Sequence, residues 1–206
     1  MKKAYNNTIK VYDTLGKRYI EDSNIAPQER SEFIRLLSKG ARVLDVGCGG
    51  GRDTRAFVAQ GFKVTGVDLS FVMIKEAKKQ IPQAIFKTMD VLDLNFPGET
   101  FDVIWANAVL LHLDRQDVSK ALKKFYKILK PNGIVHIRVK KGKGEEYVKE
   151  KLSGWHERFY TYFSKKEFTE LVKNTGFKII MSKIFDDELG RPEVKWITVW
   201  GRKVVK

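Results

Sequence analysis

Apolar positions change period along this chain, and the changes mark out its elements. Ile9, Tyr12, Leu15 and Tyr19 recur at helical spacing, and "PQERSEFIRLLSK" places Pro27 at a first helical position with Phe33, Leu36 and Leu37 as a second apolar face, so two helices are expected before residue 40. The period then shortens. "ARVLDVG" reads as a strand, followed by a helix from about Arg52 to Gln60, strand "FKVTGVD", helix "FVMIKEAKKQ", strands "AIFKTM" and "FDVIWANA", helix "VSKALKKFYKILK", turn "PNG" and strand "IVHIRVK". Short, nearly continuous apolar strands joined through helices imply a mostly parallel sheet covered on both faces. After the charged loop "KGKGEEYVKEKLSG" come a helix over "SKKEFTELVKNTG" and strands "FKIIMSKIF" and "VKWITVWGRKVV". No repeat, low-complexity tract or internal boundary interrupts this order. A single domain over 1–206 is therefore expected, with N-terminal helices in 1–39, a binding core in 41–140 and a later region in 141–206.

Composition narrows the setting. The chain is 206 residues long and 43% apolar, with a formal charge of +14, which favours anionic partners but is also what a lysine-rich solvated surface produces. One cysteine, Cys48, excludes an internal disulfide and a cysteine-held zinc, and makes a reducing, cytoplasmic setting the expectation. No apolar run approaches 18 residues and the N-terminus lacks a signal-like block, so no membrane association is expected.

The chemistry gathers at "LDVGCGGGRDT", residues 44–54, where a strand ends near Val46 and a helix begins near Arg52. Such a turn offers free backbone N–H groups and a helix N-terminus, and its glycines let a ligand lie against the backbone. The spacing is Gly47-x-Gly49-x-Gly51, and Arg52 stands where a dinucleotide fingerprint has its third glycine. Asp45 would repel a pyrophosphate and attract an amine, so the ligand should carry a positive group. Asp68, ending the next strand, is placed to accept from both hydroxyls of a ribose. Asp90, ending the one after, either accepts from an exocyclic amine such as that of adenine or caps a turn.

An amine, a ribose and an adenine together describe S-adenosylmethionine. "VLDVGCGGG", "VTGVDLS", "MDVLDL", "FDVIWANAVLLHL" and "ILKPNGIVHI" resemble, in order, five motifs of the class I S-adenosylmethionine-dependent methyltransferases. The resemblance spans about residues 41 to 140. It implies a Rossmann-like α/β fold whose seven-stranded sheet is parallel except for an antiparallel last strand, with S-adenosylmethionine at the carboxyl ends of the first strands. Carried over by position, Gly47, Gly49 and Gly51 would border the methionine part, Asp68 the ribose, Asp90 and Val91 the adenine, and Asn107 the methionine near the methyl. Tyr19, Asp45, Cys48, Arg52, Leu69 and Ser70 complete the expected cofactor set, Cys48 as a small buried turn residue rather than a nucleophile. No metal is expected.

The acceptor is less determined. Relatives that methylate nucleobase or amide nitrogens often carry an Asn/Asp-Pro-Pro-aromatic motif where this chain has "NAVLLH", which points away from such acceptors. His112 is a candidate general base or a packed histidine. His136, within a strand, reads as structural. "GWHERFYTYFS" holds His156, Arg158, Tyr160 and Tyr162 and is either a wall of the acceptor pocket, with Arg158 and Tyr160 orienting a planar or anionic small molecule, or an aromatic core under a loop. Arg191 and Trp196 are candidates for the same rim. RNA is the rival acceptor, because residues 120–151 hold 11 Lys+Arg against 3 Asp+Glu. A cofactor-binding protein without transferase activity is a third reading. Either a monomer or a homodimer is compatible with the sequence.

Overall fold

The computed structural model describes residues 3–204, with side chains from residue 7 onward. In chain order the helices are α1 (Lys3–Asp22), α2 (Arg30–Ile34), α3 (Arg52–Ala59), α4 (Phe71–Gln80), α5 (Arg115–Ile128) and α6 (Lys165–Asn174). The strands are β1 (Arg42–Val46), β2 (Lys63–Asp68), β3 (Ile85–Thr88), β4 (Phe101–Asn107), β5 (Leu129–Lys140), β6 (Glu145–Lys149), β7 (Glu157–Thr161), β8 (Phe177–Asp186) and β9 (Lys195–Lys203). Seven strands form one sheet in the order β3-β2-β1-β4-β5-β9-β8. Pairings from β3 to β5 are parallel, and β9 runs antiparallel to both β5 and β8, as the resemblance implied.

The near-continuous apolar strands arise because both faces of the sheet are covered. Val43 of β1 and Val103 and Trp105 of β4 point to one side, where Phe33 of α2 and Phe57 of α3 pack on them. Their neighbours Leu44, Ile104 and Ala106 point to the other side, against Val118, Leu122 and Phe125 of α5 and Phe168 of α6. Period-two alternation therefore distributes apolar groups to two cores instead of to core and solvent. Where the strand order reverses, between β1 and β4, a crevice opens beyond their carboxyl ends.

Two local expectations are corrected. The helix expected from Pro27 shrinks to five residues: Phe33 is fully buried, Ile34 and Leu37 only partly cover the same core, and Leu36 remains 46% exposed. The segment 141–164, read as a loop and an aromatic stretch, instead contains an antiparallel two-stranded sheet of β6 and β7, with Val148 opposite Arg158. α1 is interrupted at Gly16, whose φ of 48° and ψ of −123° are non-helical and outside what a residue with a Cβ readily adopts. Bent there, α1 packs against α4 and β7 and roofs the crevice. Among the described residues no helix is long and apolar enough to cross a membrane, and no group of acidic, histidine or cysteine side chains is arranged to hold a metal ion.

Candidate functional site

The crevice contains a cavity of about 210 Å³ with two chemically different halves. That is several times the volume one water takes up, so the space suits an organic ligand.

The first half is built on the turn after β1. Gly47 (φ 68°) and Gly49 (φ 51°) hold left-handed backbone conformations, and the N–H groups of Gly47 and Cys48 are tied to the Val67 carbonyl of β2 at 2.8 and 3.0 Å. A Cβ on Gly47 would stand 2.6 Å from Val109, whereas one on Gly49 would meet nothing within 4 Å. Gly49 therefore leaves free space on the cavity wall. Asp68 accepts from the Gly49 and Ser70 N–H groups, each at 2.9 Å, which fixes its carboxylate at the cavity edge. The carboxylate keeps acceptor capacity for a further donor on its cavity side. Burial raises its pKa against the effect of the N–H groups of Ser70, Gly49 and Leu69.

Deeper in the same half, Asp45 is 2% exposed and accepts from the Thr54 hydroxyl at 2.6 Å. Burial, with the charge of Asp53 nearby, pushes its pKa up to about 7. Asp53 itself is also buried, but Arg52 and Arg30 close on it at 2.7 Å each and hold it far below the usual carboxylate range. Arg52 also donates to the carbonyls of Ser23 and Ile25, locking the segment after α1 onto the glycine turn. Trp105 and Asn107 complete the shell of Asp53 at 3.0 and 3.2 Å. Through that bond Asn107 commits its NH₂ group, and its Oδ1 is left buried without a partner on a residue that lines the cavity. An ionisable carboxylate and an idle amide oxygen suit a cationic amine.

Of the expected cofactor set, Tyr19, Asp45, Gly47, Cys48, Gly49, Arg52, Asp68, Leu69, Val91 and Asn107 line the cavity, and three residues do not. Gly51 faces away: a Cβ there would stand 2.5 Å from Ile81 Cδ1, so the glycine serves close packing against α4 while Gly50 takes its place on the wall. Ser70 caps α4 by accepting from the Met73 N–H and donates to Asp13 at 2.5 Å. Asp90 caps the turn at Val91–Asp93 through the Leu92 N–H at 2.8 Å, the alternative reading of that residue. Cys48 is buried, and burial with the charge of Asp45 raises its thiol well above the ordinary value, which keeps it an un-ionised turn residue.

The second half is cationic and aromatic. Strand periodicity in β7 turns Arg158 and Tyr160 towards the cavity, while His156 is exposed and Tyr162 lies off the wall. Arg158, 1% exposed, donates from Nη1 to the hydroxyls of Tyr12 (2.9 Å) and Tyr19 (3.4 Å), and from Nη2 to Glu150. Its Nε is buried without a partner. Lys140, at the end of β5, lies 3.7 Å over the Tyr160 ring, and Arg191 reaches Glu150 at 2.8 Å. Trp196 also lines this half. Two members of the basic 120–151 stretch, Arg138 and Lys140, are thus buried in the cavity wall rather than on a surface.

His112 joins the halves. Its Nδ1 stands 2.8 Å from the Phe159 carbonyl, an acceptor only, so Nδ1 carries the proton and Nε2 accepts from the Tyr12 hydroxyl at 2.7 Å. Burial, followed by the charge of Arg158, lowers its pKa to about 3. A general base was one expectation for His112, and Nε2 is its acceptor nitrogen. The geometry instead puts Tyr12 between that nitrogen and the cavity. His136 is fully buried, stacked on Trp105 at 3.6 Å and accepting from Trp200, a structural residue as expected. Tyr12, Lys140, Glu150 and Asp53 escaped the sequence reading. The only signal for Tyr12 was a polar-tipped aromatic, with Tyr19, on a helix face shared with Ile9 and Leu15, and Lys140, Glu150 and Asp53 are hidden among many similar charges.

A glycine turn with the carboxylates Asp45 and Asp68 on one side, and a cationic, aromatic half on the other, thus meet at His112 beyond the carboxyl ends of the strands in a fold of the class I S-adenosylmethionine-dependent methyltransferase type. A family model described as Methyltransferase domain matches residues 19–182, and the chain belongs to that family. It is 27% identical over 192 residues to phosphoethanolamine N-methyltransferase of Plasmodium falciparum, an alignment covering 87% of this chain and 70% of that protein. It is 32% identical over 171 residues to phosphoethanolamine N-methyltransferase 1 of Zea mays, covering 76% of this chain and 32% of the larger plant protein. In fold it is similar to the Burkholderia thailandensis 1,6-didemethyltoxoflavin-N1-methyltransferase solved with 1,6-didemethyltoxoflavin and S-adenosylhomocysteine, with a TM-score of 0.77, 23% identity and coverage of 98% of this chain and 87% of that one.

Proposed function

We propose that this enzyme transfers the methyl group of S-adenosylmethionine to the nitrogen of a small amine bearing a phosphate, with phosphoethanolamine as the reference acceptor. One observation carries the choice: Arg158, buried to 1% exposure, shares the cavity with the cofactor half and presents an unpartnered Nε beside Lys140 and Tyr160. A buried guanidinium with a free N–H is costly unless an anion completes it. The resemblance to the Plasmodium phosphoethanolamine enzyme supports the same class.

S-adenosylmethionine supplies a methyl already activated on a sulfonium, so the chain's own contribution is chiefly placement. Asp45 and Asn107 would hold the amine of the cofactor's methionine part and Asp68 its ribose. Arg158, Lys140 and Tyr160 would hold the acceptor's phosphate, fixing the distance from that group to the nitrogen. Tyr12 spends its proton on His112 and one lone pair on Arg158. Its remaining lone pair can receive the proton that an attacking nitrogen gives up only as Tyr12 passes its own proton to His112 Nε2, so the pair would act as a relay with His112 as the base behind the hydroxyl. We place the reaction in the cytoplasm.

RNA as acceptor draws weaker support, since Lys120, Lys124 and Lys130 of the basic stretch pair with Asp117, Asp93 and Asp102. The test is transfer of labelled methyl to phosphoethanolamine, ethanolamine and an RNA pool. Turnover with phosphoethanolamine, little with ethanolamine and none with RNA is expected. Equal use of ethanolamine would overturn the phosphate assignment, and RNA labelling that fades steeply with salt would overturn the small-molecule assignment.

A further inference from the structure

Glu150 lies where an acceptor's anionic group is needed. Its Oε1 accepts from the Tyr160 hydroxyl at 2.5 Å and pairs with Arg158 and, at 3.6 Å, with Lys140, and its Oε2 takes Arg191 at 2.8 Å. Three cations and a phenol thus converge on one carboxylate inside the cavity that the cofactor half opens into. We propose that Glu150 is a built-in stand-in for the acceptor's anion, displaced on binding, and that it thereby restricts the pocket to dianionic acceptors. The inference rests on the reading of this half as the acceptor's anion subsite.

Charge accounting supports the dianion. Arg191 is already satisfied by Asp187, which takes its Nε and Nη2 at 2.8 Å each, and Arg138 is met by Glu188 at 2.7 and 2.8 Å. Glu150 then leaves the two remaining cations, Lys140 and Arg158, with a single negative charge between them. An incoming monoanion exchanges one charge for one and gains nothing, whereas a dianion neutralises both cations. Hydrogen bonding points the same way. Glu150 engages Arg158 through Nη2 and leaves Nε idle, while a tetrahedral anion with three free oxygens can occupy Nη2 and Nε together.

The chain is arranged for the side chain to move alone. Glu150 precedes the short turn Lys151–Ser153, and its main-chain carbonyl is held by the N–H groups of Ser153 and Trp155 at 3.0 and 3.1 Å and the Ser153 hydroxyl at 2.9 Å. Beyond it, Gly154 and Trp155 take left-handed conformations in succession, with φ of 56° and 64°. The backbone position is fixed independently of the carboxylate, although the side chain also caps the turn.

Titration calorimetry at pH 8 with inorganic phosphate and with acetate tests this, alongside methyl transfer to phosphoethanolamine. Wild type should bind phosphate and not acetate. Glu150→Gln should bind phosphate at least tenfold more tightly and should now bind acetate, and Arg158→Gln added to it should abolish both. Glu150→Asp, too short to reach the cations yet still able to cap, should behave like Glu150→Gln, which separates displacement from loss of the turn. Phosphate affinity unchanged or weakened in Glu150→Gln and Glu150→Asp would overturn the stand-in role; if phosphoethanolamine is still methylated, the anion subsite survives. No phosphate binding by any variant together with no phosphoethanolamine turnover would remove the subsite and the inference together.

Discussion

Cofactor affinity should follow the ionisation of Asp45. Its carboxyl is 2% exposed, and burial plus the charge of Asp53 set its pKa at about 7 in the free protein. A cationic amine seated against it favours the ionised form, so affinity should be level above pH 7 and fall about tenfold, or about 1.4 kcal/mol, for each pH unit below. At pH 6 about nine in ten free molecules would hold the proton, and binding would release about 0.9 of a proton, against about 0.1 at pH 8. Calorimetry in two buffers of different ionisation enthalpy counts that proton directly. Asp45→Asn should bind more weakly and lose the pH dependence. The folding side has its own sign: a folded pKa above the ordinary carboxylate value means that the contribution of Asp45 to stability is greatest in acid, declines as pH rises from about 4 to about 7, and is constant above. Cofactor binding opposes that decline, so the thermal shift that it produces should grow between pH 6 and pH 8. Affinity independent of pH between 5.5 and 8, with no proton released at pH 6, would refute the placement of the amine at Asp45.

The glycine turn separates two kinds of damage: Gly49→Val should weaken cofactor binding by filling open cavity space, while Gly51→Ala, whose Cβ would stand 2.5 Å from Ile81, should cost roughly 1–3 kcal/mol of stability with affinity nearly intact, as calorimetry and thermal melts would show. Asp68→Ala should weaken the cofactor by ~2–3 kcal/mol, and unchanged affinity would remove the ribose assignment. Because burial keeps His112 neutral above about pH 3, kcat/KM should show no inflection near pH 6.5 that disappears in His112→Asn; finding one would restore His112 as a direct base. Tyr12→Phe should lower kcat by on the order of 10²-fold in steady-state kinetics, with cofactor affinity little changed, if the hydroxyl takes the acceptor's proton. Arg158→Ala should raise the acceptor KM, and an unchanged KM would remove the anion clamp.

What was legible in the sequence depended on how locally each feature is encoded. Strand-to-helix turns at Val46 and Asp68 carry their chemistry within a few residues, so Gly47, Gly49 and Asp68 could be singled out from spacing and resemblance, and all three line the cavity. Gly51 was grouped with them by the same reasoning, because a glycine that serves packing and one that faces a ligand have the same letter, and only the position of Ile81 shows that this one packs. Ser70 and Asp90 stand off the cavity wall for a related reason: short polar side chains at strand ends serve as caps as readily as ligands, and here both accept backbone N–H groups of the following turn. The acceptor half was legible only in part. Arg158 and Tyr160 are two apart, which strand period alone places on one side, but β7 was not recognised as a strand because its partner β6 is a charged, glycine-flanked segment. Tyr12, His112 and Arg158 come from residues 12, 112 and 158, and no local pattern records that an α1 hydroxyl closes the histidine's nitrogen. Glu150 is the clearest case. In sequence it is one more acid in a lysine-rich loop, and its significance comes from three cations brought together from β5, β7 and the loop before β9. The cationic half is therefore a meeting of segments, which explains why the cofactor could be inferred from residues 41 to 140 while the cluster of Lys140, Arg158 and Arg191 became apparent only in the fold.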